Sequence, residues 1–517
     1  MPERDQRISF DTVDFTDEGK VRAFIDTAMQ DKERQHRNVE RQAEANIAWY
    51  QGYQELYQHP TKNHLVRFPN PRKRVRLTFN LIKPSVQIRQ ANIGFDPIRF
   101  EVAPATQDME DWDTARLSTK VLEYYQEYLD LESAVEESDL WADLSGNQFV
   151  QVTWDAGKGS EFDAGSGRRM SVGDIDVSVV PIFNIFWGPH GSNFRDAEWC
   201  LVLSERSPGY IKSRYGKTLS GDLQKRQEGF KHWRHSDIDG TGLRGGGKRD
   251  RRSDDLVLVQ TVWAPRSKRF PKGKHLVVAD GTQILKNGDN PYKHGRIPIV
   301  HGKGLLVLNS NLGQGIVDDL LQPQSEFNKN ISQQVENREL MANPFFLAQK
   351  GSIVDEAEWN QIVGGIRYYS GALAPTPVPG SAMPSAVLQQ LAKTQTVMQD
   401  IVGAHDVSQA KAVPGVKSGV AIRALQEKDE GRVGPQRRRR RRFWSQVGQL
   451  MLSTLGQFVR EQRLVKILSE ETCGRRPVSA ASSCEAGHAA EPTTSTCACE
   501  RAAASAPRPA SWRCWKR

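Results

Sequence analysis

The chain has 517 residues, of which 38% are hydrophobic and 26% charged, and its formal net charge is +9. This length exceeds that of one compact core, so we expect roughly two to four structural units. The longest apolar runs, such as residues 305–308, are far shorter than the roughly 20 residues that a membrane span needs. The charged N-terminus also lacks the apolar stretch of a secretory signal. We therefore expect a protein that is made and used in a cytoplasm.

The N-terminal third is predicted to be mainly helical. Residues 16–58 combine many charges with apolar anchors three or four positions apart, which indicates helix. Residues 75–79 alternate with a period of two, which indicates a strand, and an amphipathic helix is predicted over 84–93. A further strand is predicted over 98–102, followed by a helical pattern over 108–144.

From residue 148 to about 299 the pattern changes to β. Short runs rich in β-branched and aromatic residues are separated by Gly, Asp and Asn, which predicts strands over 149–154, 175–182, 199–204, 256–263 and 275–278. Between them, residues 240–253 form a Gly/Arg-rich segment that we predict to be a mobile loop.

After Pro298 the pattern returns to helix, so the fold class is α+β. One helix ends at Asn343-Pro344, and a short β-like module follows over 345–369, with a Pro-rich connection over 375–384. A second helix is predicted over 385–402, stopping at Gly403. After a Gly/Pro/Lys loop come a third helix, 419–430, and a fourth that begins at the arginine run 437–442.

Cysteine is distributed unevenly. Only Cys200 precedes residue 473, and five cysteines lie between residues 473 and 514. One cysteine in so long a body predicts a reducing compartment, with Cys200 as a small buried hydrophobe. Residues 473–517 are dominated by Ala, Ser, Pro, Thr, Arg and Cys, so we predict that this tail is disordered. A frameshifted read of GC-rich DNA would give the same composition.

The motifs of common enzymes and metal sites fit poorly. Residues 240–245 match G-x-G-x-x-G and residues 242–248 match G-x-x-x-x-G-K, but neither lies between a predicted strand and a helix. The residue that should bind magnesium is Arg249. Cys484, His488 and Cys497-x-Cys499 do not have the spacing of a zinc knuckle. We expect that the protein is not an enzyme and that it binds no cofactor and no metal.

Two basic segments stand out in the sequence, and the first of them has two alternative interpretations. Arg437, Arg438, Arg439, Arg440, Arg441 and Arg442 form the sharpest positive run. They are either a solvated start of a helix or a surface that faces phosphates. The loop 405–418 carries Lys411 and Lys417 around Pro414-Gly415, in a position between two helices.

Several short motifs occur in an order that resembles the portal proteins of tailed bacteriophages. They are Trp49-Tyr50-Gln51-Gly52-Tyr53-Gln54; residues 77–84, LTFNLIKP; Pro181-Ile182-Phe183-Asn184; Asp196-Ala197-Glu198-Trp199; Asn290-Pro291-Tyr292 with residues 297–300; Phe327-Asn328-x3-Ser332; and residues 418–425, SGVAIRAL. The resemblance covers about residues 40–470. Residues 463–468 resemble a strand after which the family continues, whereas here the Cys-rich tail follows.

The resemblance implies a portal-like division of the chain. It consists of an N-terminal helical arm, 1–60; a mixed α/β wing, 61–310; a first stem helix, 311–342; a small β clip, 343–380; a second stem helix, 381–404; a tunnel loop, 405–418; helices returning toward the wing and crown, 419–472; and the tail, 473–517. Ile316, Leu320, Phe327, Ile331 and Val335 form the apolar stripe of the first stem helix, which we expect to make ring contacts. The amides of that helix, Gln322, Gln324, Asn328, Asn330, Gln333, Gln334 and Asn337, are expected to face the channel.

The same resemblance implies function and partners. The chain would form a homo-oligomeric ring, a dodecamer in the family, at one capsid vertex of the virion, assembled in the host cytoplasm. Double-stranded DNA would pass through it, with Lys411, Pro414, Gly415 and Lys417 facing that DNA. The terminase large subunit would dock on the clip near Glu356 and Glu358, and major capsid and head-tail connector proteins would also bind the ring. The alternative is a non-portal scaffold or nucleic-acid-binding protein that uses the arginine run.

Overall fold

The computed structural model describes Phe10 and residues 13–58, 65–67, 69–70, 74–94, 97–159, 161–163, 169–188, 193–219, 256–281, 283–342, 345–347, 370–372, 376–378, 385–403, 419–459, 463–464, 483–484 and 497–498. The chain divides into two compact units. Unit 1 contains Met1–Glu44, Ile88–Asp318 and Val416–Arg517, and unit 2 contains Ala45–Gln87 and Asp319–Gly415. Both units are therefore built from segments that are distant in sequence.

The described residues form the following elements. The helices are α1 (Glu18–Gln35), α2 (Arg37–Tyr50), α3 (Ile82–Gly94), α4 (Met109–Tyr128), α5 (Leu131–Ser145), α6 (Pro208–Tyr215), α7 (Ile316–Ala342), α8 (Ser385–Val402) and α9 (Gly419–Phe458). The strands are β1 (Leu56–Gln58), β2 (Leu65–Arg67), β3 (Glu101–Val102), β4 (Asn147–Asp155), β5 (Glu161–Asp163), β6 (Arg169–Ser171), β7 (Asp174–Val179), β8 (Ile185–Gly188), β9 (Trp199–Arg206), β10 (Val257–Ala264), β11 (Lys274–Ala279), β12 (Gln283–Gly288), β13 (Ile299–Lys303), β14 (Phe345–Leu347), β15 (Thr376–Val378), β16 (Arg463–Leu464), β17 (Ser483–Cys484) and β18 (Cys497–Ala498).

Unit 1 contains a five-stranded antiparallel sheet in the order β12-β11-β10-β9-β8. Helix α1 packs its apolar face against this sheet, because Val21, Phe24, Ile25, Ala28 and Met29 recur at helical spacing and are all buried. The helix begins at Asp17, whose carboxylate accepts a hydrogen bond from the Gly19 amide at 2.8 Å.

A second core in unit 1 joins a three-stranded sheet, β13-β4-β7, to helices α4, α5 and α9. Helix α9 contributes Phe443, Trp444, Val447, Met451 and Leu455 at helical spacing. Trp444, Val447 and Met451 are completely shielded from solvent. The C-terminal half of α9 is thus an integral part of this core of unit 1.

Unit 2 contains α7 from Asp319 onward, α8, and the hairpin-like pair β14-β15 between them in sequence. Phe345 pairs with Val378 and Leu347 with Thr376, so this antiparallel pair closes the segment between the two helices. Helix α8 has the bounds that the sequence predicts, 385–402, and Gly403 ends it at a φ of +75°.

Four sequence predictions need correction. Residues 419–458 form one helix that continues through Pro435, rather than two; a proline inside a helix removes one backbone hydrogen bond but does not always end the helix. The predicted helix 16–58 is divided at the buried His36, and 108–144 is divided at Asp130, which has a φ of +47°. Residues 75–79 are extended but pair with no strand among the described residues; they bind a helix instead.

The tail has two short described pieces. β17 pairs with β16, and β18 pairs with β3, each over two residues. The rest of residues 473–517 lies outside the described part of the chain, so its disorder stays a prediction.

Candidate assembly surfaces and polar networks

The apolar stripe of α7 is largely occupied within the chain itself. Ile316, Leu320 and Phe327 are buried in the single subunit, so they belong to the core of one chain and cannot be the exposed ring contacts that the sequence suggested. Ile331 and Val335 are only half-buried and remain candidates for contacts with a neighbour. The stripe is apolar, as the sequence predicts, but its first three side chains are buried within the same chain.

The amide face of α7 holds an extended segment of the same unit. The backbone N–H groups of Leu77, Phe79 and Leu81 donate to Ser332 Oγ, Asn328 Oδ1 and Gln324 Oε1 at 3.0, 3.1 and 3.0 Å. The spacings match because four helical residues rise about 6 Å and two extended residues advance about 6.6 Å. We call this array, Gln324, Asn328 and Ser332 with residues 77–81, the amide ladder.

Gln324 is the most enclosed member of the amide ladder. Its side chain is completely buried, and its Nε2 donates to the carbonyl oxygen of Phe79 at 2.7 Å and to Asn328 Oδ1 at 3.0 Å. The expectation that Gln324 and Asn328 face a channel is therefore wrong. Their polar groups are used to dock an extended segment.

The ladder continues into the turn after α2. Asn328 Nδ2 donates to Gln54 Oε1 at 2.6 Å, and Gln54 Nε2 donates to Asn80 Oδ1 at 3.1 Å. Asn80 Nδ2 in turn donates to the carbonyl oxygen of Tyr50 at 2.8 Å. Gly52 lies in the same turn at a φ of +98°, a conformation that favours glycine. Three of the short motifs that carry the resemblance thus meet in one hydrogen-bonded network.

The arginine run is built into unit 1. Arg437 donates through Nε at 3.1 Å to the carbonyl oxygen of Asn92, in the last turn of α3, where a cation is favoured. Arg439 Nη2 donates to the carbonyl oxygen of Gly304 at 3.0 Å. Arg440 Nε donates to Asp139 Oδ2 of α5 at 2.7 Å. These three arginines connect α9 to three distant segments and are therefore structural.

A second ion pair lies beside the first. Arg89 Nε donates to Asp143 Oδ1 at 3.0 Å, and Arg89 Nη2 donates to Gln436 Oε1 at 2.8 Å. Both ion pairs border a small cavity of about 40 Å³. The two carboxylates lie one helical turn apart on α5. Their pairing has no signal in the local sequence, because each partner arginine is more than 50 residues away.

Burial dominates the electrostatics of this cluster. It raises the pKa of Asp139 to about 6, although Arg440 opposes the shift. It also raises the pKa of Asp143 against the opposing effect of Arg89. Burial, with a contribution from Arg89, lowers the pKa of Arg439. The ionised groups of this cluster are therefore shielded from water. They are compatible with a stable fold only while each carboxylate remains paired with its arginine.

Arg438 and Arg442 are exposed and lie on the outer side of α9. The phosphate-facing reading of the run can apply to these two side chains, but Arg437, Arg439 and Arg440 already donate hydrogen bonds to protein oxygens. Two exposed arginines on a helix are an ordinary solvated face.

A groove of about 340 Å³ in unit 2 is lined by residues of both α7 and α8. Asp319, Gln322, Pro323 and Glu326 of α7, and Gln390, Lys393, Thr394 and Val397 of α8, form its walls. Val397 is partly exposed there. α7 and α8 are thus neighbours within unit 2.

Other predicted site residues lie outside the described part of the chain. These are Lys411, Pro414, Gly415 and Lys417 of the loop 405–418, Glu356 and Glu358 of the predicted clip, the loop 240–253, and most of the cysteine-rich tail.

Within the described residues, no helix has the length and apolarity to cross a membrane. The same residues contain no group of three His, Cys, Asp or Glu side chains that would hold a metal ion. Cys200 is buried, and burial raises the pKa of its thiol well above the usual range.

The sequence model of the phage P22-like portal protein family matches residues 66–479, which is most of the chain. No curated protein matches the chain at a significant level. Such portal proteins are structural components of the phage capsid that form homo-oligomeric rings. On the strength of this match, together with the ordered motifs that meet in the amide ladder, the chain belongs to the phage P22-like portal protein family.

Proposed function

We propose that this chain is the portal subunit of a tailed phage, which forms a ring, a dodecamer by family resemblance, at one capsid vertex. Double-stranded DNA is packaged and ejected through the ring, and the terminase large subunit and head-tail connectors dock on it. The observation that carries the proposal is the family match over residues 66–479.

The arrangement of unit 2 supports this proposal. Two helices, α7 and α8, share a groove, and the chain between them is closed by the strand pair β14-β15. We propose that α7 and α8 are the stem and that residues 343–380 are the clip on which the terminase docks near Glu356 and Glu358. Residues 405–418 follow as the tunnel loop, with Lys411 and Lys417 near the DNA.

The alternative, a nucleic-acid-binding protein that uses the arginine run, has less support. Three of its six arginines already donate hydrogen bonds within unit 1. Phosphate binding by the whole run would have to break those contacts, and the resulting affinity would depend strongly on salt.

The size of the purified native protein tests the proposal. We expect native mass spectrometry and negative-stain electron microscopy to show closed rings of one mass class. Packaging should then require those rings in a defined reaction with capsid, terminase and DNA. A protein that stays monomeric at all concentrations, or rings that packaging does not need, would refute the portal assignment.

A further inference from the structure

The small cavity beside the ion pairs of unit 1 is lined by more positive than negative side chains. Its walls come from α3, α5, α9 and the end of β13. The titratable groups that line it are Arg89, Lys303, Arg439, Arg440, Asp139 and Asp143. With every group ionised, the lining carries an excess of two positive charges. We call this space the arginine cavity.

Both carboxylates of the arginine cavity are already paired. Asp143 lies 3.0 Å from Arg89, and Asp139 lies 2.7 Å from Arg440. The four side chains of these ion pairs are at most 17% exposed. Each pair is neutral as a whole, so the excess charge belongs to the remaining two cations.

Those two cations, Arg439 and Lys303, make their hydrogen bonds to neutral oxygen atoms. Arg439 Nη2 donates to the carbonyl oxygen of Gly304 at 3.0 Å, and Lys303 Nζ donates to that of Ser310 at 2.9 Å. Neither cation forms an ion pair with any residue that the structure describes. Burial lowers the pKa of both groups, which is the direction expected of a cation that lacks a nearby negative charge.

Two polar atoms of the lining residues are buried without a hydrogen-bond partner in the described part of the chain. They are Nε of Arg439 and Nε2 of Gln90. Both atoms can only donate, so the partner that each requires is an acceptor. Buried donors without a partner are rare in folded proteins, and a bound water or ion is a common reason for them.

We propose that the arginine cavity binds one small inorganic anion of the size of chloride, which accepts hydrogen bonds from Arg439 and Gln90. An anion accepts from several donors at once and also offsets part of the excess positive charge. A water molecule would accept from both donors but would leave the buried cations uncompensated. The cavity volume of about 40 Å³ exceeds the roughly 10–15 Å³ that one water needs, so a monatomic anion has enough space.

The bound anion has a structural consequence. Gln90 lies on α3 and Arg439 lies on α9, so an anion between them links two helices that are remote in sequence. A ligand that binds only the folded state stabilises that state in proportion to its occupancy. The stability of unit 1 therefore depends on the anion concentration, a property that is independent of the proposed function.

Bromide locates the anion, because it replaces chloride and scatters X-rays anomalously. Crystals of the full chain in sodium bromide should show an anomalous peak in the arginine cavity of the wild type. The variant Arg439→Gln should lose this peak. Arg438→Gln is the matched control and should keep it, because it removes the same charge from an exposed side chain next along the same helix.

Scanning calorimetry of the same proteins, in chloride and in gluconate at constant ionic strength, measures the energetic effect. For one site, a tenfold increase in chloride above half-saturation raises the folding constant tenfold. This corresponds to a rise of about 2–4 °C in the thermal midpoint. The wild type and Arg438→Gln should show that rise, and Arg439→Gln should not. If Arg439→Gln does not fold, Lys303→Met removes the other unpaired cation and should reduce the rise in the same way.

Three outcomes would overturn the inference. A wild-type cavity without bromide would mean that water fills it. An equal chloride effect in the wild type, Arg439→Gln and Lys303→Met would place the responsible anion elsewhere. A bromide peak without any chloride-dependent rise in the midpoint would indicate an adventitious ion only. Both readouts use the chain itself, so failure to form rings would affect the proposed function and not this inference.

Discussion

The amide ladder makes a local prediction for the variant Gln324→Ala. This change removes one acceptor for the Leu81 amide and one donor to the Phe79 carbonyl, and it removes the support that Gln324 gives to Asn328. Alanine is the better helix former, so α7 itself should not weaken. The loss should therefore fall on the docking of residues 77–81.

The structure sets the size of the effect. Each lost hydrogen bond to a buried group costs about 1 kcal/mol, and Gln324 makes three. Phe79 is half-exposed, so water can replace part of the loss at its carbonyl group. We expect the free energy of docking the segment to fall by about 2 kcal/mol in total. This corresponds to a roughly 30-fold larger equilibrium constant for opening the segment.

Hydrogen exchange read by mass spectrometry measures this opening directly in peptides that cover residues 75–82. Gln333→Ala is the matched control, because Gln333 lies on the same helix with an exposed side chain. The Gln324 variant should exchange roughly 30-fold faster in that peptide, and the Gln333 variant should match the wild type. If both variants exchange at the wild-type rate, the ladder does not hold the segment and our reading of these amides is wrong.

Three further predictions concern charge. The pKa of Asp139 is about 6 in the folded chain against 3.8 for the free group, so the folded state binds that proton more tightly. Stability relative to Asp139→Asn should therefore decrease by about 2 kcal/mol as pH rises from 4 to 6, as measured by urea denaturation; a flat difference would contradict it. Burial lowers the pKa of His301 to about 3 from 6.5, so its contribution has the opposite sign: stability is lost as pH falls below 6.5, and His301→Gln should flatten that slope. Changing Lys411 and Lys417 of the proposed tunnel loop to Gln should leave rings intact but alter packaging yield or DNA retention in a salt-dependent way; wild-type behaviour at low and high salt would make the loop a passive spacer.

Local sequence patterns were sufficient to predict most of the helices and strands. The helix 385–402 could be predicted because its apolar residues recur at helical spacing and Gly403 supplies the left-handed residue that ends it. Strands β9 and β10 could be predicted because their sequences contain β-branched residues, which favour strands. The structure buries those residues in the centre of a sheet. In these elements the local preference and the tertiary surroundings agree.

The polar residues were harder to interpret because their partners are remote in sequence. Gln324 and Leu81 are 243 positions apart, and Arg440 and Asp139 are 301 apart. The sequence shows that α7 has an amide-rich face and that α9 has an arginine run, but composition cannot distinguish a surface that faces DNA from one that binds its own backbone. Hydrogen-bond partners decide that question, and only the fold brings them together.

The amide ladder also explains why weak motifs in a fixed order indicated the family. Gly52 and Gln54 follow α2, Asn80 precedes α3, and Asn328 and Ser332 lie on α7. Each of these three motifs alone is a few common residues, but each supplies a donor, an acceptor or a backbone conformation to one network. A buried hydrogen-bond network that is only partly satisfied lowers the stability of the fold. A substitution in one segment therefore also weakens the contacts of the other segments. Because one network needs all three segments, their joint presence along the chain carries information that no single motif has.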